Sequence, residues 1–269
     1  MSLWNSQNPR GRCQVVGMIH IAALPGSPRG ELPIAGIVNR AREEAAIFRE
    51  AGVDAVMIEN MHDRPYMKGS AGPEVVAAMT VVAVAVKEAF GGPCGIQVLA
   101  GANREALAIA LAAGFEFIRA EGFVFAHVAD EGIIEGCAGD LLRYRREIGA
   151  ESVDVLADVK KKHSSHAITA DIDVAESAKA AEFFLADGVI VTGGATGSPA
   201  AVEDVRAVKE ATKLPVFVGS GVDVHNVAEF AGIADGVIVG SSLKEEDKWD
   251  GALSLARVQA LLGVLDQPK

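Results

Sequence analysis

Aromatic side chains make up only 5% of this 269-residue chain, although half of its residues are hydrophobic. Any large core must therefore be assembled from Ala, Val, Ile and Leu, a composition that suits a parallel sheet covered by helices. Cysteine is also scarce. Cys13, Cys94 and Cys137 are an odd number, far apart and without metal-type spacing, which argues against a disulfide framework or a zinc site and for a reducing cytoplasm. Positive charge is in deficit: a formal net charge of −11 removes any general attraction to nucleic acid or anionic lipid. Phosphate recognition, if present, has to be local. Long apolar runs are missing as well, since the most hydrophobic stretch, residues 75–86, is shorter than the ~20 residues a membrane helix needs. The opening MSLWNSQNPRGR lacks the apolar segment of a signal peptide. Neither a nucleic-acid partner nor integral membrane association is expected.

What is present is a repeat. From Cys13 onward a short β-branched run ending in polar or glycine residues is followed by an Ala-rich segment with helical spacing, over and over. Strands are predicted at 13–20, 53–59, 95–99, 115–121, 152–159, 188–191, 215–218 and 236–239, and helices at 33–50, 73–90, 104–112, 140–148, 174–185, 200–211, 225–231 and 252–261. The phrases EAGVDAV, AAGFEFI, LADGVIV and IADGVIV repeat one helix-to-strand turn four times. Eight strands alternating with helices predict an α/β fold, a (βα)8 TIM barrel, because such barrels use about 250 residues as one unit. Residues 1–269 are read as a single barrel domain with 1–12 as an N-terminal arm. A doubly wound open sheet is the competing fold, but HIAALPGSPRG after the first strand carries no G-x-G-x-x-G.

The strongest chemical signal lies in the last quarter, where LPVFVGSGVDVHNV and ADGVIVGSSLKEE each set Gly-Ser directly after an apolar strand. In a barrel those loops cradle phosphate, because glycine lets backbone N–H groups approach the anion. Gly219, Ser220, Gly221, Gly240 and Ser241 are the expected cradle, with VTGGATGSP after strand six as a further wall. Each glycine alone reads equally as a tight turn; their recurrence at neighbouring strand ends favours phosphate.

Catalytic groups in this architecture sit at strand C-termini. His20, Glu59, Glu121, Asp158 and Lys160 are the acid–base candidates, and Asn60, Gln97, Arg119, His163 and Thr192 the substrate-binding ones. Alternation puts Arg119 with Glu121 on one face, and Asp158 with Lys160 on another. The same groups would also fit two plain ion pairs, Arg119–Glu121 and Asp158–Lys160, closing the barrel mouth. In DVKKKHSSHA a desolvated Lys160 could form a Schiff base, while Lys161 and Lys162 read as a solvated loop. His163 and His166 lack metal-type spacing, so neither metal nor cofactor is expected.

The motifs GMIHIAALPGSP, MIENMHDRPY, DEGIIEGCAGDLLRYRR and ADVKKKHSSH together resemble the BtpA/SgcQ family over nearly the whole chain. That resemblance implies a phosphate-binding-type barrel, one branch being named for photosystem I biogenesis and another occurring with sugar-utilisation genes. Two functions therefore compete: an enzyme acting on a phosphorylated sugar or nucleoside-like small molecule, by isomerisation, lyase chemistry or glycosidic cleavage, and a non-catalytic assembly factor. One further expectation concerns assembly. In the second helix VVAAMTVVAVAV is apolar on every side but for Thr80, whereas a helix on a monomeric barrel keeps a polar outer stripe; a homo-oligomer through that helix is predicted, to be weakened by Val82→Lys or Val84→Lys where the altered residue lies on the contact face, the alternative being cover by the loop after strand two or the N-terminal arm.

Overall fold

The computed structural model describes Trp4 and residues 12–193 and 199–267. Eight parallel strands close on themselves in the order β1 (Gln14–His20), β2 (Ala55–Glu59), β3 (Cys94–Gln97), β4 (Phe117–Ala120), β7 (Asp154–Val159), β9 (Gly188–Thr192), β10 (Val216–Gly219) and β11 (Gly236–Val239). These are the eight strands expected, with bounds shifted by no more than two residues at either end. Helices α1 (Ile34–Ala51), α2 (Pro73–Phe90), α3 (Asn103–Ala113), α4 (Ala138–Glu147), α5 (Val174–Phe183), α6 (Val202–Ala211), α7 (Val227–Phe230) and α8 (Leu255–Leu265) separate and follow them.

Strand alternation divides the apolar residues into two layers. Outward-facing side chains such as Val15, Ile19, Ile58 and Ile96 pack under the helices. Where a helix comes close, the strand yields: a Cβ on Gly17 would lie 2.5 Å from the Phe48 ring of α1. Inward-facing Val16, Met18, Met57, Phe117, Leu156, Ile190, Phe217 and Ile238 fill the barrel interior. Trp4, from the N-terminal arm, joins this inner cluster, with ring centroids 5.1 Å from Phe117 and 4.7 Å from Phe217 in edge-on geometry. Each such aromatic pair adds about 0.5–1.5 kcal/mol beyond burial, so Trp4 seals the floor.

Three features depart from expectation. The segment between β4 and α4, read as loop, contains β5 (His127–Ala129) and β6 (Gly132–Ile134), which pair antiparallel, and β8 (Ser164–Ser165) adds to β5 to make a second, three-stranded sheet. Strands this short carry too few residues for alternation to show. The seventh helix is only one turn, Val227–Phe230. In α2, Val82 is fully buried in its own barrel, while Val81 and Val84 are 51% and 40% exposed. The outer stripe is thus apolar as expected, but Val82 is not part of it. Among the described residues no helix is long and apolar enough to cross a membrane.

Candidate functional site

Two residues beyond the inner apolar layer, the same alternation changes chemistry. Met18 is followed by His20, Met57 by Glu59, Gly95 by Gln97, Phe117 by Arg119, Leu156 by Asp158 and Ile190 by Thr192, whereas Phe217 and Ile238 are followed by Gly219 and Gly240. The register sets His20 beside Glu59, and Glu59 beside Gln97. These positions open into a cavity of about 470 Å³ at the strand C-termini, lined among others by His20, Glu59, Gln97, Arg119, Glu121, Lys161, Lys162, His163, Ser220, Gly221, Gly240 and Ser241. Its size suits a small-molecule ligand.

His20 is held in one tautomer. Its Nδ1 lies 2.9 Å from the Trp249 carbonyl, which can only accept, so Nδ1 carries the proton and Nε2 presents a lone pair. Nε2 stands 4.0 Å from Glu59 Oε2. Burial, aided by the charge on Lys244, lowers the His20 pKa to about 3. Burial likewise raises the carboxyls of Glu59 and Glu121, against the opposing pull of Arg119 on Glu59 and of Lys161 on Glu121. A carboxyl that is readily protonated can give or take a proton near neutrality, and the neutral imidazole beside it presents an acceptor.

The ion pairs are exchanged relative to expectation. Arg119 Nε donates to both oxygens of Asp158, at 2.9 and 3.2 Å, with the Asp158 side chain fully buried. Asp158, expected to be an acid–base group of the pocket, is instead consumed by this pair and does not line the cavity. Lys161 Nζ meets Glu121 Oε2 at 3.0 Å, and Gln97 Nε2 donates to Glu121 Oε1 at 3.0 Å. Gln97 lines the cavity, and its Oε1 is buried without a hydrogen-bond partner among the described residues.

Lys160 is not in the site. It leaves β7 with φ of 49°, which breaks the alternation, and its Nζ donates to the Thr169 carbonyl at 2.8 Å, outside the cavity. The same turn swings Lys161 and Lys162, expected in solvent, into the cavity. They are held there from three sides: Thr192 Oγ1 accepts from the Lys162 N–H at 2.9 Å, His166 Nε2 donates to the Lys161 carbonyl at 2.9 Å, and β8 fastens the chain beyond to β5. Thr192 thus positions a backbone rather than lining the cavity. Asn60 does similar work, its Oδ1 accepting from Leu99 N–H at 2.8 Å and its Nδ2 donating to Asp63 at 3.1 Å.

On the opposite wall the two Gly-Ser loops meet. Ser242 Oγ donates to the Val222 carbonyl at 2.6 Å, and Asn226 Nδ2 to the Gly221 carbonyl at 2.7 Å. Ser220 and Gly221 both have positive φ, 80° and 69°, a sharp turn that lays backbone against the cavity. A Cβ on Gly219 would lie 2.8 Å from Ile190, so no side chain intrudes there. The possible further wall, VTGGATGSP, lies mostly outside the described residues.

Sequence reasoning missed the roof. Lys244 and Leu253 bridge the neck of a loop, whose buried Lys244 pairs with Glu44 at 3.0 Å. Its Trp249 lies edge-on to His20 with ring centroids 6.4 Å apart, meets the His62 ring at a tilt at 4.6 Å and lies beneath Arg64 at 4.8 Å. A tryptophan isolated in the polar run KEEDKWDG was the available signal, because solvent-exposed loops seldom carry one.

With this geometry in view, the BtpA family matches residues 12–267. The chain belongs to the BtpA family. Relatives include an uncharacterized mitochondrial protein of Caenorhabditis elegans, 48% identical over 265 residues, 97% of this chain and 94% of that protein. The photosystem I biogenesis protein BtpA of Synechocystis is 39% identical over 249 residues, 92% of this chain and 86% of that one. Among solved structures, (S)-3-O-geranylgeranylglyceryl phosphate synthase from Thermoplasma acidophilum, in complex with sn-glycerol-1-phosphate, aligns with a TM-score of 0.63 at 16% identity, covering 99% of both chains. Thiamine phosphate pyrophosphorylase from Pyrococcus furiosus aligns at 0.56 and 15% identity, covering 96% of this chain and 98% of that one. These structures share the barrel fold with this BtpA-family chain.

Proposed function

We propose that this BtpA-family barrel is an enzyme acting on a phosphorylated sugar or nucleoside-like small molecule by acid–base chemistry. The observation that carries the reading is one cavity with two unlike walls: Ser220, Gly221, Gly240 and Ser241 on one side, His20, Glu59, Glu121 and Gln97 on the other. Backbone at the first wall binds the phosphate, and the second wall moves protons on the remainder of the molecule. Two solved barrels of the same fold carry a phosphate compound in their names, which supports the choice of substrate class. A thermal-melt screen over sugar phosphates and nucleotides tests it, since a ligand that binds only the native state raises the melting temperature. Stabilisation by phosphorylated compounds and not by their dephosphorylated counterparts is expected; silence across the set would reject the reading.

The name of the Synechocystis relative favours a second reading, a non-catalytic assembly factor, for which the same screen should be silent. Localisation in a reducing cytoplasm fits the three free cysteines. A homo-oligomer through α2 fits the exposed Val81 and Val84. Light scattering should then show more than one subunit per particle, and Val84→Lys should shift it towards the monomer, because the contact would bury an unpaired ammonium.

A further inference from the structure

The three consecutive lysines after β7 have three different fates. Lys160 gives its ammonium to the Thr169 carbonyl outside the cavity, and Lys161 is paired with Glu121. Lys162 lines the cavity, and among the described residues its ammonium has neither a hydrogen bond nor an ion pair. Its backbone is nevertheless fixed by Thr192, with the turn at Lys160 on one side and His163, φ 54°, on the other. A cation held this firmly without a partner is unusual, because burying an ammonium costs free energy unless something compensates it.

We propose that Lys162 is the amine nucleophile of this cavity, and that the substrate is a phosphorylated aldehyde or ketone held as a protonated imine. The inference rests on the phosphate reading above and adds the reacting group. Amines become nucleophilic when desolvated or set beside another cation. Both conditions hold here, since burial first and Arg119 second lower Lys162 to about 8, leaving a useful fraction of free amine near neutrality. In the step itself the Lys162 nitrogen bonds to the carbonyl carbon, and the carbonyl oxygen takes one proton from that nitrogen. The carbon–oxygen bond then breaks as the oxygen accepts a second proton from the Glu59 carboxylic acid and leaves as water. A protonated imine remains opposite the Glu59 carboxylate. Burial, which keeps Glu59 protonated more readily than an ordinary carboxyl, suits it to that donation. The Glu59 carboxylate left by that step, whose basicity burial raises, is the natural acceptor for a proton removed next to the imine carbon.

Pyridoxal 5′-phosphate with borohydride tests this, because it is a phosphate-bearing aldehyde whose imine becomes permanent on reduction. Peptide mass spectrometry of the full chain at equimolar reagent should find the label on Lys162, lost when inorganic phosphate is added, and absent with pyridoxal, which lacks the phosphate. Lys162→Arg should lose that label while retaining stabilisation by phosphate in a thermal melt. Label spread over surface lysines or on Lys161, with phosphate still stabilising the protein, would overturn Lys162 as the nucleophile and leave the phosphate seat standing. Labelling of Lys162 by both aldehydes, indifferent to phosphate, would overturn the phosphate seat and with it the proposed substrate class.

Discussion

The mouth of this barrel has two halves that differ in what occupies equivalent positions. On β1, β2, β3, β4 and β7 the residue two beyond the apolar interior is His20, Glu59, Gln97, Arg119 or Asp158; on β10 and β11 it is Gly219 or Gly240. One half presents side chains and the other presents backbone. Proton transfer needs groups with tunable pKa values, which only side chains supply, whereas an oxyanion is well met by N–H groups freed from side-chain obstruction. The difference lets one cavity hold a charged group and work on its neighbour without the two tasks competing for the same atoms.

Substitutions on the two halves should accordingly fail in different ways. The largest effect is expected at the side-chain half. Arg119→Ala leaves Asp158 buried and unpaired, which should cost about 3–5 kcal/mol in urea unfolding, and replacing both partners by apolar residues, Arg119→Met with Asp158→Leu, should recover most of it. Equal damage from the single and double changes would contradict the pairing. At the backbone half, Gly240→Ala places a Cβ 3.2 Å from both His20 Cε1 and Met18 Cβ. The fold should lose only about 1 kcal/mol, but the thermal stabilisation by phosphate should vanish; a variant still stabilised by phosphate would break the division of labour.

A further effect, confined to acid, concerns charge on His20. With its pKa lowered to about 3 by burial, the ring should show no titration between pH 5 and 8 in nitrogen-resolved NMR, its proton remaining on Nδ1. The unfolded chain protonates near 6.5, so between that pH and the folded value the unfolded state binds more protons. The His20 contribution to stability is thus complete above about pH 6.5 and is lost as pH falls, by up to about 1.4 kcal/mol per pH unit. A midpoint near 6.5 in the folded protein would mean that the ring is hydrated and the tautomer unfixed.

The comparison also explains how much of the site was legible beforehand. Strand periodicity identified all eight barrel strands and led directly to His20, Glu59, Gln97, Arg119 and Glu121, because alternation persists to the end of each strand. It failed one residue later. Val159 is the last residue of β7, and the positive φ at Lys160 reverses the side-chain directions that follow, so Lys160 was placed inside and Lys161 and Lys162 outside. Backbone reversals of this kind leave no hydrophobic pattern, and lysine is not a residue that announces a left-handed turn. The sheet of β5, β6 and β8 went unseen for a related reason: two- and three-residue strands have no period to read. Trp4 and Trp249, at the floor and roof, owe their places to contacts made across the whole fold, which local spacing does not encode.

The most direct measurement is a crystal structure grown in inorganic phosphate. An ion in the cavity within hydrogen-bond distance of backbone N–H groups in the turns at Ser220–Gly221 and Gly240–Ser241, facing Lys162 and Glu59, is the predicted result. A cavity without an ion at saturating phosphate, or an ion bound only by the side chains of the charged half, would contradict the division between a backbone cradle and a side-chain wall.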